Sequence, residues 1–537
     1  MMNDWLSYRA KISPNQPALI WQDRTWTYAA LDEAVTEMAA QLAARVKKGA
    51  HVAVLMPNRP EYVFAIHALA RLGAILIPLN TRLTEDELRW QADHADCTVV
   101  ICSRETEKQA LPLFPRQTIP GTIPSAAEDI TVPSMKGHFY ERRLLLSVDR
   151  PTKPAVKPLQ ISSPTLSDRP PNPFKLNVLQ SIVFTSGTTG YPKGAMLTYA
   201  NHFWSATASA YRLGTLPNDR WLLCMPLYHV GGMSIVFRCC LYGTAVVLME
   251  KFDPDGVHAA LDTGRVTLAS FVPTMLQRLL DVRQGALPPT VRAILLGGAA
   301  ASPDVLERAH ASGWPLALTY GLTEACSQVA TATPDEARHK PGTVGKPLMF
   351  SELRIANGVK QMADSLPLEQ VTNLLNNVGE IIVRGPTVMQ EYYRDQEATY
   401  QALHDGWLHT GDLGYLDEEG DLWVVDRRVD LIVTGGENVY PSEVERVLLS
   451  HPGVREACVV GIPDAEWGQR VAAAVVATKV SLTAEALTAS CRKHLAGYKI
   501  PREVHFVSAL PQTASGKVKR DEVRAMLQGK APSEKMI

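Results

Sequence analysis

The chain has 537 residues, of which 46% are hydrophobic and 20% charged, with a formal net charge of −1. Those are globular values and exclude a largely disordered or fibrous chain. Near-neutrality with scattered Lys and Arg removes the electrostatic case for nucleic acid or an anionic membrane as the main partner. The length predicts about three or four core units. The eight cysteines form no C-x-x-C pair, which argues against a zinc or redox motif and for buried thiols in a reducing compartment. The start, Met1-Met2-Asn3-Asp4-Trp5, carries an early acid and lacks the apolar stretch of a signal peptide. No apolar run approaches the roughly 18 residues that span a bilayer. A cytoplasmic protein without a membrane span is expected, and self-association into a homo-oligomer is left open.

In chain order, helical spacing over 28–45 is followed by a strand at 51–56 and helix over 61–72. A strand at 74–78, helix over 84–95 and a strand at 99–102 complete the first stretch. Strands alternating with amphipathic helices predict an α/β fold with helices on both faces of a sheet. From 103 to 177 recurrent prolines break helices and central strands, predicting an irregular surface excursion with short strands and no chemistry. Regular alternation resumes at Val178, with strands predicted at 222–225, 244–248, 268–272 and 293–296. Hairpin material is expected around Leu353 and 380–383, interrupted by a second irregular stretch over 356–377. The character changes near Asp426-Arg427-Arg428-Val429-Asp430. Beyond it, strands at 457–461 and 472–478 and helices at 443–449 and 483–494 define a compact α+β unit.

The segment Thr185-Ser186-Gly187-Thr188-Thr189-Gly190-Tyr191-Pro192-Lys193-Gly194 follows the apolar strand residues Ile182-Val183-Phe184. Glycines let backbone amides converge on an anion and the hydroxyls add donors without bulk. Lys193 adds a charge able to follow a departing phosphate. No G-x-x-x-x-G-K-[ST] is present, so this is not a Walker A loop. His229, after a strand, suits a hydrogen-bonding or gating role as well as a structural one. Gly297 and Gly298 let backbone lie against a flat ligand or form a tight turn. Thr319-Tyr320-Gly321-Leu322-Thr323-Glu324 joins an aromatic, a hydroxyl and a carboxylate. Glu324 suits Mg²⁺ or the first turn of a helix capped by Thr323. Asp412, between glycines, suits a ribose or ordinary turn chemistry. Lys517 lies in Thr513-Ala514-Ser515-Gly516-Lys517, a Gly-containing loop.

Taken together and in this order, these motifs resemble the adenylate-forming superfamily of acyl-CoA synthetases, luciferases and adenylation domains, over nearly the whole chain. The resemblance implies a large multi-subdomain N-terminal α/β body, residues 1–427, and a small mobile C-terminal α+β domain, residues 428–537. It implies ATP, Mg²⁺ and coenzyme A as cofactor and co-substrates, and a small carboxylic acid as substrate. The loop Thr185, Ser186, Gly187, Thr188, Thr189, Gly190 and Lys193 would hold the ATP phosphates. Gly297, Gly298 and Tyr320 would flank the adenine, Thr323 the α-phosphate, Glu324 the metal, and Asp412 and Arg427 the ribose. Lys517 would be the lysine essential to adenylation, while Gly435 and Gly436, in Thr434–Pro441, would line the thiol path after the small domain rotates. The catalytic set is thus Lys517, Thr323, Glu324 and His229. The hinge position falls on Val429, where the superfamily carries a small polar residue, and the excursion before Val178 is longer than the family's compact form.

Within the superfamily, 197–202, 319–328 and 426–432 resemble the ligases acting on o-succinylbenzoate, an acid of menaquinone biosynthesis. That acid has a second, aromatic carboxylate that needs a cation or strong donors. Arg238, nine residues after His229 in the apolar stretch Met233–Leu241, is the candidate, with snorkelling to the surface as its bland alternative. A fatty-acyl or aryl ligase, a stand-alone enzyme loading a carrier protein, and a nucleotide-binding relic are the rivals.

Overall fold

The computed structural model describes residues 4–113, 144–150, 152, 156–159, 175–185, 191–283, 285–356, 378–426, 431–478, 482–511 and 518–529. Two large sheets dominate the body. The first runs, edge to edge, through strands Lys157–Pro158, Leu144–Ser147, Val99–Cys102, His51–Leu55, Ile75–Pro78, Leu179–Thr185 and Lys193–Thr198, all parallel except the last pair. The second has a parallel centre formed by Leu316–Leu322, Ala293–Leu296, Leu268–Phe271, Arg220–Leu223, Ala245–Leu248 and Pro17–Trp21, with antiparallel additions at both edges.

The period-2 alternation of these strands layers the body. Val52 and Val54 point into the same core as Trp221, Leu223, Ala293 and Leu295 of the other sheet. Ala53 and Leu55 point to the far side of the first sheet, and Leu222, Ile294 and Leu296 to the far side of the second. The main core therefore lies between the sheets, filled by helices that are apolar nearly all round. Helix Pro60–Leu72 starts with Pro at its first turn and stops at Gly73, as a pre-set φ and a left-handed cap residue dictate. Helix Val230–Tyr242 stops the same way at Gly243.

A smaller antiparallel sheet pairs Glu352–Ala356 with Gly379–Arg384 and the latter with Trp407–Leu416. The C-terminal unit has its own sheet, in which Gly468–Ala477 pairs with Val454–Asp464, Ile432–Thr434 and Glu503–Phe506. Alternate residues face two separate small cores, Val459 and Val475 into one and Cys458 and Ala474 into the other.

Most predicted elements fall within a few residues of the observed ones. Three differ. Strand Arg220–Leu223 ends earlier than the predicted 222–225, because the Met225 carbonyl is drawn off the sheet to accept the Asn58 side chain at 2.9 Å. Leu144–Ser147, inside the proline-rich excursion, is an internal strand with Leu145 and Leu146 wholly buried, so this part of the excursion belongs to the core. The hairpin Pro17–Trp21 and Arg24–Thr27 extends the second sheet without having been anticipated. The junction predicted at 427/428 and the stretch 357–377 lie outside the described residues. All eight cysteines are buried, as expected, and no described helix is long and apolar enough to cross a membrane.

Gly321 shows how tightly the hairpin below the predicted purine site is closed. A Cβ there would sit 1.7 Å from the Ser327 carbonyl oxygen, where backbone has no room to retreat. Gly321→Ala is expected to cost about 3 kcal/mol, the upper range for overpacking, read as a lower urea midpoint with unchanged slope.

Candidate active site

The carboxyl ends of parallel strands in both sheets open toward one place, the usual position of a ligand site in an α/β protein. Thr185 ends one strand, Gly297 and Gly298 follow another, and Thr323 and Glu324 form a short 3-10 turn after Leu316–Leu322. Thr410 and Asp412 come from the small sheet, and His229 and Arg238 from helix Val230–Tyr242 and its N-cap. The C-terminal unit adds Gly436, Asn438 and Tyr440. Together they line a cavity of about 210 Å³. A larger hollow of about 720 Å³ lies at the N-terminal hairpin, but its half-buried cation, Arg59, is already paired with Glu61 and Asp149.

Glu324 is 4% exposed, and its Oε1 accepts from Tyr392 Oη at 2.7 Å and Thr185 Oγ1 at 3.5 Å. It lies in the first turn of the 3-10 segment and also lines the cavity. Lys193 is buried against Tyr392, its Nζ 5.4 Å from the ring centre. Asp412 is held from two sides: its Oδ2 accepts from Tyr320 Oη at 2.7 Å, and its N–H donates to Thr410 Oγ1 at 3.1 Å. Tyr320 is 2% exposed, and its hydroxyl braces Asp412.

Arg238 is 1% exposed, which excludes snorkelling to the surface. One terminal nitrogen donates to Ser327 Oγ at 3.2 Å and the guanidinium lies 5.5 Å from the Trp221 ring centre. Its Nε has no hydrogen-bond partner, and no carboxylate pairs with it among the described residues. Burial pulls its pKa below the ordinary value. Burial, reinforced by the Arg238 charge, also holds the neighbouring His202 imidazole at about 3, neutral near pH 7. The site therefore contains a buried cation with no anion beside it among the described residues, an arrangement that costs free energy unless something completes it.

His229 reaches across to the C-terminal unit. Its Nε2 lies 3.2 Å from Glu437 Oε2, and Glu437 also accepts from Arg82 at 3.1 Å and Tyr228 at 3.3 Å. Burial opposes ionisation of Glu437, yet His229 and Arg82 outweigh it and hold its carboxyl at about 2. Gly435 and Gly436 take φ of +58° and +84°, so the loop turns sharply enough to set Gly436 against Val272 of the body, where a Cβ would lie 3.1 Å from Val272 Cγ2. Ser186, Gly187, Thr188, Thr189, Gly190, Arg427, Val429 and Lys517 lie outside the described residues.

Sequence reasoning missed Glu437, Ser327 and Tyr392 as parts of the site. Glu437 sits inside the singled-out loop 434–441, which was a usable signal. Tyr392 has no local signal, since only the tertiary fold brings it to Glu324.

With this geometry in place, the comparisons are specific. The AMP-binding enzyme profile matches residues 6–393 and the AMP-binding enzyme C-terminal domain profile residues 443–517. The chain belongs to the AMP-binding enzyme family. A 2-succinylbenzoate–CoA ligase of Bacillus mycoides (strain KBAB4) is 39% identical over 529 residues, covering 98% of this chain and 99% of that one. A double mutant of o-succinylbenzoate CoA synthetase from Bacillus subtilis, bound with its product analogue OSB-NCoA, superposes with a TM-score of 0.83 at 35% identity, covering 97% of this chain and 98% of that one. The Bacillus subtilis synthetase in complex with ATP and magnesium ion gives 0.67 at 36% identity, covering 97% and 99%.

Proposed function

We propose that the protein is an ATP-dependent acid–CoA ligase that converts 2-succinylbenzoate, ATP and CoA to 2-succinylbenzoyl-CoA, AMP and diphosphate through an acyl-adenylate. The observation that carries the choice of acid is Arg238, buried at the cavity with no anion beside it among the described residues. A monocarboxylic acid would leave that charge unanswered, whereas the ring carboxylate of o-succinylbenzoate completes it with charge-assisted bonds also available from Ser327.

In this reading the succinyl carboxylate oxygen attacks the α-phosphorus, the new O–P bond forms, and the bond to the β-phosphate oxygen breaks. Thr185–Gly190 and Lys193 hold the phosphates that leave as diphosphate, and Thr323 orients the α-phosphate. Gly297, Gly298 and Tyr320 border the adenine, while Asp412 and Arg427 take the ribose hydroxyls. Lys517 offsets the repulsion between carboxylate and phosphate in the transition state. Glu324, a buried carboxylate beside the phosphate loop, fits a Mg²⁺ that takes one or two carboxylates and completes its shell with phosphate oxygens; when bound, the ion would neutralise charge on the phosphates.

For the second step, residues 428–537 act as a mobile domain on the 1–427 body. The thiolate sulfur attacks the acyl carbonyl, and AMP leaves with the bonding electron pair. Gly435 and Gly436 line its path and His229, drawn aside by Glu437, opens it. The reaction belongs to the cytoplasm, where ATP and CoA are at hand.

Diphosphate release over o-succinylbenzoate, benzoate, and medium- and long-chain fatty acids tests the assignment. O-succinylbenzoate is expected to give the highest rate, and leaving out CoA to stall turnover at bound adenylate. A fatty acid as the best substrate, or sustained turnover without CoA, overturns it.

A further inference from the structure

The body and the C-terminal unit meet through paired charges. Besides Arg82 with Glu437, His494 lies 3.4 Å from Asp86. The deepest contact is at Lys499, whose Nζ is 2.6 Å from Glu87 Oε1 and 2.7 Å from Glu443 Oε1. The Lys499 and Glu443 side chains are 3% exposed and that of Glu87 is 9% exposed. Only Glu87 belongs to the body. It is the third residue of helix Glu85–His94 and closes a capping box: its Oε2 accepts from the N–H and the hydroxyl of Thr84, both at 2.8 Å. The carboxylate is thus divided, one oxygen fixed by its own helix start and the other aimed across the interface. On the far side, Glu443 stands in helix Pro441–Leu449, which begins directly after Tyr440 of the cavity-lining loop.

We propose that Glu87 is a positioning residue, whose ion pair with Lys499 holds the C-terminal unit in the orientation that presents residues 435–440 to the cavity and so serves thioester formation and not adenylate formation. The inference rests on the two-step ligase reading above. A buried ion pair contributes little net stability, because desolvation offsets attraction, but it tolerates a single register, since any other leaves a buried charge unanswered. The structural comparisons point the same way. At matching identity and coverage, the superposition is 0.83 with the product-analogue complex and 0.67 with the ATP and magnesium complex. Nearly the whole chain is matched in both, so the difference points to how the parts are arranged, and this structure lies nearer the former.

Glu87→Gln in the full-length protein isolates the charge, because Gln completes a capping box as Glu does. Two rates are measured: single-turnover diphosphate release, and thioester formation from preformed acyl-adenylate and CoA. The expected result is thioester formation slowed about tenfold with diphosphate release within about twofold of wild type. Equal loss in both steps, or no change in either, overturns the proposal. In a Lys499→Met/Glu443→Gln background, adding Glu87→Gln is expected to change nothing further, whereas a full additive loss also overturns it. A wild type that releases no diphosphate with any acid overturns the ligase reading and this inference with it. A normal wild type with an unchanged ratio of steps overturns this inference alone.

Discussion

Arg238→Met is expected to lower kcat/KM for o-succinylbenzoate by about 10²–10⁴-fold, the equivalent of the 3–5 kcal/mol lost when one partner of a buried ion pair is removed. The same variant should use 4-oxo-4-phenylbutanoate, which keeps the succinyl chain but lacks the ring carboxylate, at least as well as wild type. The opposite signs follow from the position of Arg238. At 1% exposure, with one bond to Ser327 and its Nε unpartnered, the guanidinium is desolvated without an anion of its own among the described residues. An apolar isostere removes that penalty, so the melting temperature should hold or rise. Lys is not a substitute, because a point charge on a shorter planar-free stem loses the fork geometry that grips a carboxylate. Competition assays with the two acids give the ratio directly, and a variant that keeps full preference for the diacid would place the aromatic-carboxylate subsite elsewhere.

Lys517→Ala is expected to slow adenylate formation by about 10²–10³-fold, the scale for removing one preorganised charge stabiliser from a transition state. Thioester formation from preformed adenylate should stay within a few-fold of wild type. Two anions approach each other only in the first step. In the second, the thiolate would meet a mixed anhydride, and Gly436, Asn438 and Tyr440 of the C-terminal unit line the cavity. Rapid-quench measurement of each half-reaction separates the two, and equal losses would remove Lys517 from its assigned role.

Much of the fold could be read from local pattern because parallel strands buried on both faces are short apolar runs between helices with clear caps. Val99–Cys102 and Ala293–Leu296 are observed as predicted. What local pattern misses is pairing over long distance. Pro17–Trp21 is tied to the sheet by Ala245–Leu248, and nothing near residue 17 announces that partner. The site divides in the same way. Glu324 and Asp412 were identifiable because they sit in compact motifs, and Arg238 because a cation in an apolar helix demands an explanation. The bond from the Tyr320 hydroxyl to Asp412 was not legible, since only the fold brings the two together. The Glu437–His229 and Glu87–Lys499 pairs depend on how two separately folded units meet, which no local spacing encodes.

The buried cysteines make the native protein nearly silent to thiol chemistry. Burial pushes the Cys102, Cys224, Cys239 and Cys326 thiols up to about 12 and Cys491 up to about 11, so almost none is present as the reactive thiolate at neutral pH. An alkylating reagent therefore scores only molecules that have opened. A pair of surface cysteines introduced on the body and on the C-terminal unit would carry fluorophores with little background from the native eight, making the distance between the two units measurable during turnover without first removing any native thiol.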